Sequence, residues 1–325
     1  MILFYLLALV VGFIALVKGA DMFVDGSSGL AKNFGVPALV IGLTLVALGT
    51  SAPELAVSVS ASLRGSNEIA LSNVLGSNLF NLLGVLGVCA VISPISVEKN
   101  VLKRDFPFSV VTTGLILLAV CTYAFFSGHS ISYDMEKDIS QISRFMGLIL
   151  IIVFTAYICY LIHSAKNDNS QSSDKNKQPV IKCVLFIVLG LSLIVAGGQA
   201  VVYGAKEIAR AFGMTETLIG LTIVAIGTSL PELVTSVVAA RKGETGLAVG
   251  NVIGSNIFNL MFILGICAFI RPVAVNMASV FDMAILLCIS ILTLMFSHSG
   301  GKINRAEGII MLGIYVSDVV FAILR

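Results

Sequence analysis

The fold is decided by a stretch that occurs twice: residues 42–55 read GLTLVALGTSAPEL, and residues 220–233 read GLTIVAIGTSLPEL, with eleven of fourteen positions identical. A second stretch, NVLGSNLFNLL at residues 73–83, returns as NVIGSNIFNLM at residues 251–261, with eight of eleven identical. Both pairs share an offset of 178 residues, so no gap is needed. Because the matched residues include Thr, Ser, Pro, Glu and Asn, apolar composition does not explain the match. The chain contains an internal duplication.

The composition around these repeats is that of a membrane protein. Of the 325 residues, 57% are hydrophobic and 12% are charged, and the mean hydropathy is +1.02. A soluble protein carries about 25% charged residues. This excludes a soluble enzyme on a single anchor and makes the lipid bilayer the expected surroundings. The net charge of +2 gives no reason to expect a nucleic-acid partner.

Ten apolar stretches are long enough to cross a bilayer as helices, since one span needs about 20 residues. They lie near residues 2–25, 38–63, 69–92, 106–126, 144–163, 181–209, 215–240, 246–270, 278–297 and 304–323. We therefore predict an all-α integral membrane protein with ten transmembrane helices.

The two motif copies occupy spans two and three and spans seven and eight. Five spans separate equivalent helices, and an odd number inverts the second copy relative to the membrane. Inverted repeats are typical of alternating-access transporters, with the site near the midplane between the copies. We predict two inverted five-helix repeats, residues 1–163 and 181–325, joined by a polar linker at residues 164–180.

Lysine and arginine in the loops favour one orientation. Loops after odd-numbered spans hold twelve of these residues, and the opposite side holds seven. By the positive-inside rule, the odd loops and the central linker are cytoplasmic and both termini lie outside the plasma membrane. Lys18 follows the first apolar run instead of preceding it, so we predict a retained span and no cleaved signal peptide.

Each motif copy places one glutamate in an otherwise uncharged span. A carboxylate at the bilayer centre costs about 2.5–3.5 kcal/mol on insertion scales, so Glu54 and Glu232 at matched positions indicate function. A buried structural pair or a neutral glutamate is the alternative. The prolines that precede the glutamates remove helix hydrogen bonds and are predicted to free the carbonyls of Gly49 and Gly227. The carbonyls of Ala47, Thr50, Ala225 and Thr228 lie in the affected turns.

Hydroxyl and amide side chains recur around both glutamates. Thr50 lies four residues before Glu54, so the hydroxyl and the carboxylate are predicted to share a helix face. The next span of each copy carries a polar stripe with a period of four. The stripes are Asn73, Ser77 and Asn81 in one copy and Asn251, Ser255 and Asn259 in the other. Hydrogen bonding between helices is the alternative for such stripes, above all for Asn73 and Asn251. Asn78 and Asn256 lie off the stripe and are predicted to be structural.

Every side chain in this set offers oxygen. Carboxylate, hydroxyl, amide and carbonyl oxygens suit hard cations such as Ca²⁺ and Na⁺ and disfavour zinc or copper. These ions are cargo, and no cofactor is expected. The three histidines lie at span ends, far in sequence from the glutamates, so we predict a transporter and no enzyme. A passive channel is the alternative class.

The GTSxPEL and GSNxFN motifs resemble the α-repeats of the cation/Ca²⁺ antiporter superfamily, and in particular the prokaryotic Na⁺/Ca²⁺ exchangers. The resemblance covers nearly the whole chain. It implies Na⁺/Ca²⁺ antiport, with long first and sixth spans that slide across a core of spans two, three, seven and eight. It is compatible with a monomer. The metal ligands it implies, taken with the polar stripes, are Glu54, Glu232, Thr50, Thr228, Ser51, Ser229, Ala47, Ala225, Ser77, Ser255, Asn81 and Asn259.

One departure from the superfamily concerns Asn259. Many exchangers carry aspartate there, paired with asparagine at the position of Asn81, whereas this chain has asparagine at both. The centre is then predicted to hold a fixed charge of −2, which one Ca²⁺ neutralises and three Na⁺ turn to +1. A 3:1 exchange would be electrogenic. Ca²⁺/H⁺ exchange or K⁺-dependent exchange through the same glutamates is the alternative, although each is easier to explain with an additional acid.

Other charges inside the apolar stretches have structural interpretations. Lys18, Asp21 and Asp25 lie toward one end of the first span, where pairing or snorkelling to the interface is expected. Asp318 lies deeper in the last span and has no counterpart in the first half. We predict a structural role for it.

Overall fold

The computed structural model describes residues 2–126, 135, 137–167, 178–214, 223, 225–298 and 300–324. Within these residues, seven helices are long and apolar enough to cross a membrane, and two helices joined at a 49° bend supply an eighth candidate. The protein is therefore a mostly helical, multi-pass membrane protein. The count of ten spans and the inverted order of the halves stay predictions.

The helices of the first half begin and end close to the predicted apolar stretches. In chain order the elements are α1 (Ile2–Phe34), α2 (Ala38–Ile41), α3 (Ala47–Thr50), α4 (Ala52–Arg64), α5 (Asn67–Leu79), α6 (Leu86–Ile92), β1 (Ile95–Ser96), α7 (Phe106–Phe126), β2 (Asp138–Ile142) and α8 (Arg144–Asn167). Helix α8 continues four residues into the predicted linker. Linker residues 168–177 lie outside the described residues.

The second half follows the same order. Its elements are α9 (Val180–Ala211), α10 (Ala225–Thr228), α11 (Leu230–Arg241), α12 (Thr245–Ile257), α13 (Leu264–Ile270), β3 (Val273–Asn276), α14 (Met277–His298), β4 (Lys302–Ile303) and α15 (Arg305–Leu324). Residues 215–222 and 224 lie outside the described residues, and with them most of the first five residues of the second motif copy.

Helices α1 and α9, with 33 and 32 residues, pack antiparallel against each other. Gly12 faces Gly197 and Gly19 faces Gly190. A Cβ atom added to Gly19 would lie 2.7 Å from the carbonyl oxygen of Gly190, so only glycine permits this approach. Gly26 continues the spacing of seven residues along α1. This spacing, which is visible in the sequence, makes α1 and α9 one closely packed unit.

Two pairs of short antiparallel strands connect the loops. Strand β1 pairs with β4, and β2 pairs with β3. The prediction of an all-helical chain misses them because strands of two to five residues carry no measurable periodicity. Each pair joins two loops that the alternation of ten spans would place on the same side of the membrane.

Lys242, at the end of α11, links that helix to α1. Its Nζ atom lies 2.6 Å from a carboxylate oxygen of Asp21 and 2.6 Å from one of Asp25. Of the two alternatives given for these aspartates, pairing or snorkelling, the structure shows pairing. Burial acts to lower the pKa of Lys242, but the hydrogen bonds to Asp21 and Asp25 outweigh it, so the pKa is raised.

This ionic cluster has no counterpart in the other half. At the repeat offset, Arg64 stands where the second half has Lys242. The positions equivalent to Asp21 and Asp25 are Gln199 and Tyr203, which carry no charge. Both halves therefore keep a basic residue at this position, but only Lys242 has acidic partners at the equivalent positions of the long helix.

Candidate ion-binding site

Each motif copy interrupts its helix at a serine. Helix α3 ends before Ser51 and α4 begins after it, and α10 and α11 flank Ser229 in the same way. Pro53 and Pro231 then lie in the first turn of the new helix, where the missing N–H has no helical partner to lose. The prolines thus mark two helix starts, next to the glutamates.

The carbonyls at the first break are not freed by the proline. Backbone N–H groups at the break bond the carbonyls of Ala47 and Gly49, and the hydroxyl of Thr50 lies 3.5 Å from the carbonyl of Ala47. The prediction that Gly49 presents a free carbonyl is therefore wrong. It assumed one continuous helix with proline in its interior, whereas the chain starts a second helix at that point.

The two copies exchange hydrogen bonds at the glutamates. The hydroxyl of Ser51 donates to Oε1 of Glu232 at 2.8 Å, and the hydroxyl of Ser229 donates to Oε1 of Glu54 at 2.8 Å. Both glutamate side chains are 1% exposed. Each carboxylate is thus held by the opposite repeat, and the two glutamates lie where the two copies meet.

Thr50 contacts the opposite copy. Its hydroxyl bonds Oδ1 of Asn251 at 3.0 Å and the carbonyl of Val46 at 3.1 Å, and it lies beside Glu232 as well. Thr228 has the matching relation to Glu54. The helix bends by 49° between Thr50 and Glu54, so the regular helical spacing from which we predict their shared face is interrupted here.

The serines of the polar stripes extend the site. Ser255 Oγ lies 2.9 Å from Ser51 Oγ, and Ser77 Oγ lies 3.2 Å from Ser229 Oγ. Both stripe serines are buried. The structure therefore brings the predicted glutamates and four serines into two matching chains of contacts across the two copies, Ser77–Ser229–Glu54 and Ser255–Ser51–Glu232. Ala225 lies in α10, in the turn before the second break.

Four asparagines lie between the copies and bond one another. Nδ2 of Asn78 donates to the carbonyl of Asn256 at 3.2 Å, and the reverse bond measures 3.3 Å. Asn81 donates to Oδ1 of Asn256 at 3.1 Å, and Asn259 donates to Oδ1 of Asn78 at 3.0 Å. Asn78 and Asn256 thus make the hydrogen bonds between the copies that a structural role needs, and that role stays a prediction. The network also fixes how the amides of Asn81 and Asn259 are turned.

Asn73 and Asn251 form hydrogen bonds between helices, which is the alternative given above for the polar stripes. Asn73 donates to Oγ of Ser58 at 2.9 Å, and Asn251 donates to Oγ of Ser236 at 2.9 Å. Each also contacts the backbone carbonyl of its own copy's glutamate, at 3.3 and 3.4 Å. These bonds join the two helices of each copy and position the glutamate.

Four acceptor oxygens in this region are buried without a hydrogen-bond donor among the described residues. They are Oε2 of Glu54, Oε2 of Glu232, Oδ1 of Asn81 and Oδ1 of Asn259. A buried acceptor without a partner costs about 1–3 kcal/mol, more when charged, and calls for a missing ligand such as an ion. The donor set suits a hard cation, because every free atom is oxygen.

Comparison with known proteins agrees with this geometry. A family model described as sodium/calcium exchanger protein matches residues 4–163 and 182–324. The chain belongs to the sodium/calcium exchanger family. The family expected from the two motifs is thereby confirmed.

Relatives of this exchanger cover nearly its full length. The sodium/calcium exchanger MaX1 of Methanosarcina acetivorans is 36% identical over 347 residues, 97% of each chain. The inner membrane protein YrbG of Escherichia coli is 34% identical over 320 residues, 95% of this chain and 93% of that one. A structure of the sodium-calcium exchanger NCX_Mj, soaked with Na⁺ and no Ca²⁺, covers 100% of both chains with a TM-score of 0.84 and 32% identity.

Two cavities reach the site of the exchanger. The larger, about 490 Å³, is lined by Pro53, Thr228 and Pro231 and by charged residues near the end of α9. The smaller, about 130 Å³, is lined by Ser77 and Asp318 among others. Both cavities therefore touch predicted ligands, from different sides of the core.

Sequence reasoning missed the π-helical turns of the exchanger. Phe80–Val85 and Phe258–Ile263 are π-helical and lie 178 residues apart, like the motifs. They contain Asn81 and Asn259. π-Helical turns are frequent at functional sites because they re-aim side chains. Hydropathy gives no signal for them, since the segment stays apolar and helical.

Proposed function

We propose that the protein is a Na⁺/Ca²⁺ antiporter that works by alternating access, with Na⁺ entering and Ca²⁺ leaving the cell across the plasma membrane. The observation that carries this proposal is the set of four buried oxygens without donors, two of them on glutamates held by opposite repeats. Membership of the exchanger family supports the same ions. The twelve predicted ligands remain our proposal for the ion sites.

The charge of the site favours a 3:1 stoichiometry. Two glutamates and two asparagines hold a fixed charge of −2, which one Ca²⁺ neutralises. Three Na⁺ leave a charge of +1, so the two half-cycles move unequal charge. We propose that each cycle carries one net positive charge into the cell.

We propose that the larger cavity is the extracellular approach to the site. It lies against the end of α9, which the lysine and arginine distribution places outside. The same distribution places the linker in the cytoplasm and both termini outside. The two prolines in its wall lie one residue from the glutamates, so a small shift of α9 across them changes access to both.

Flux measurements test the proposal. Purified protein in liposomes should take up ⁴⁵Ca²⁺ when Na⁺ is inside and absent outside, and an imposed membrane potential should change the rate. Uptake that is indifferent to Na⁺ would refute Na⁺ coupling. Uptake that follows Na⁺ but is insensitive to potential would refute the 3:1 stoichiometry alone.

Ca²⁺/H⁺ and K⁺-dependent exchange are separated in the same vesicles. A pH gradient without Na⁺, and K⁺ added to the Na⁺ gradient, give the two additional arms. We expect neither to replace or enhance Na⁺-driven uptake, because the twelve predicted ligands include only two acids, Glu54 and Glu232. Uptake driven by the pH gradient alone would favour the first alternative.

A further inference from the structure

A groove of about 560 Å³ lies between α7 and α8 on the outer surface of the helix bundle. At one end it carries Lys103, which is exposed, and Arg104, both on the π-helical turn Val101–Asp105 that precedes α7. Further along, Val111 and Val153 line it, and both are exposed. Because the chain spans a bilayer, exposed apolar residues within α7 and α8 face lipid. The groove therefore runs from a cationic end into the hydrocarbon region.

The cationic end is rigidly built. Two nitrogens of Arg104 bond the two carboxylate oxygens of Asp105 at 2.7 and 3.1 Å, and Asp105 is fully buried and accepts the hydroxyl of Tyr157 at 2.9 Å. The guanidinium carbon of Arg104 stands 5.5 Å from the ring centre of Tyr160, a cation–π geometry. Asp105 balances one positive charge, and Lys103 leaves the end of the groove cationic.

The groove belongs to one half only. At the repeat offset, Lys103 and Arg104 correspond to Phe281 and Asp282. The duplication that built the ion site therefore does not explain the two cations. Lys103 and Arg104 are two of the twelve loop cations that set the predicted orientation, and their position at the end of a lipid-facing groove points to a second role in binding an anionic lipid.

We propose that this groove binds one anionic phospholipid of the bilayer, with its phosphate on Lys103 and Arg104 and an acyl chain along Val111 and Val153. Basic pockets between spans on the cytoplasmic side are suited to anionic headgroups, at about 1 kcal/mol per basic residue. The loop count places this end of α7 and α8 on that side. The groove volume lies in the range of ligand sites, about 300–1,000 Å³. A bound lipid would hold α7 against α8.

The absence of tryptophan allows a direct test. Tyr160→Trp places a single fluorescent reporter under Arg104, in liposomes of phosphatidylcholine with a fixed fraction of brominated lipid as quencher. We expect brominated phosphatidylglycerol to compete for the groove about fivefold better than brominated phosphatidylcholine. Adding Lys103→Gln to the reporter variant should remove the preference. Arg104 is left unchanged because its loss would strand the buried charge of Asp105.

A second reporter controls for general attraction to the surface. Phe186→Trp lies beneath Lys182, whose Nζ stands 5.3 Å from the Phe186 ring centre, and it lies away from the groove. We expect the two quenchers to act equally there. Equal quenching at Tyr160→Trp, an equal preference at both reporters, or a preference that survives Lys103→Gln would each overturn the proposal. Sodium-driven uptake by each variant verifies that it is folded.

Discussion

Each glutamate in the site uses its two oxygens differently. Oε1 of Glu54 accepts a hydrogen bond from Ser229, and Oε2 has no donor among the described residues. Glu232 repeats this division with Ser51. One oxygen is therefore positioned by the opposite repeat, while the other is the oxygen that we propose as a cation ligand. The charge of each carboxylate and the hydrogen bond that positions it can therefore be removed separately by mutation.

Replacement of a glutamate by glutamine removes the charge and keeps the shape. We expect Glu54→Gln or Glu232→Gln to abolish Ca²⁺ transport, since the amide oxygen still accepts the serine hydroxyl but one Ca²⁺ is no longer neutralised. Thermal unfolding in detergent should change little. Glu68→Gln, at an exposed position in the first turn of α5, is the matched control and should transport normally. Normal uptake by either site variant would remove it from the ligand set.

Replacement of a serine removes the hydrogen bond that positions the glutamate and keeps the charge of the glutamate. Ser51→Ala deletes the donor to Glu232, and hydrogen bonds to charged groups contribute about 1.5–3 kcal/mol. We expect the KM for Ca²⁺ to rise about tenfold or more, measured as initial ⁴⁵Ca²⁺ uptake against concentration. Ser290→Ala is the control, because that buried hydroxyl bonds only the carbonyl of Leu286 in its own helix. An unchanged KM in Ser51→Ala would show that the cross-repeat bond does not matter for binding.

At the scale of elements, the glycine contacts make α1 and α9 a single packed pair. A Cβ at Gly19 would stand 2.7 Å from one backbone atom of α9 and 2.8 Å from another. Backbone atoms cannot turn aside as side chains do, so the helices must separate. Antiparallel packing at seven-residue intervals also means that neither helix can shift alone without breaking this fit.

Gly19→Ala tests this packing. Overpacking costs about 1–3 kcal/mol, so we expect a lower thermal unfolding midpoint and slower Na⁺-driven uptake. Gly313→Ala in α15 is the matched control, since a Cβ there meets nothing within 4 Å and alanine favours helix. A midpoint as high in Gly19→Ala as in the wild type would mean that the two helices have room to adjust.

At the scale of the whole molecule, Lys242 connects the end of α11 to α1 on the side away from the larger cavity in the predicted topology. Exposed ion pairs contribute about 0.2–1 kcal/mol each. These ion pairs hold the opposite side closed, so they favour the conformation in which the larger cavity is open. We expect Lys242→Met to lower the population of that conformation by about 1.4–5-fold. The measurement is the labelling rate of Val57→Cys, which lines the cavity, in a variant without native cysteines. Lys302→Met, at an exposed position in β4, is the control and should leave the rate unchanged.

The effect of Lys242 has a defined pH range. Its pKa is raised in the folded protein, so the contribution is complete below the unfolded lysine pKa of about 10.4 and disappears only as pH rises above it. The ratio of the labelling rates of wild type and Lys242→Met should therefore be constant from pH 7 to about pH 9, because ionisation of the introduced thiol changes both rates by the same factor. A ratio that changed within this range would point to another cause.

Much of this molecule was predictable from the sequence, because hydropathy and an ungapped repeat are strong signals. They located most helix ends within a few residues, although α1 runs nine residues past the predicted end at residue 25, and they selected Glu54 and Glu232 among the buried charges but missed Asp105. They did not predict that Ser51 contacts Glu232, since that depends on a 49° bend which the helical period does not encode. The π-helical turns and the short strands escaped for the same reason, as each is local geometry without a change in hydropathy.

The unequal halves have a consequence for the conformation that the exchanger adopts when no ion is bound. In a duplicated carrier, the two end states swap the arrangements of the halves, so perfectly equal halves would make those states equally stable when empty. Lys242 has carboxylate partners and Arg64 faces none at the equivalent positions. The empty carrier should therefore favour one conformation, with the site open to one side of the membrane only. Its forward and reverse cycles then start from the same resting conformation.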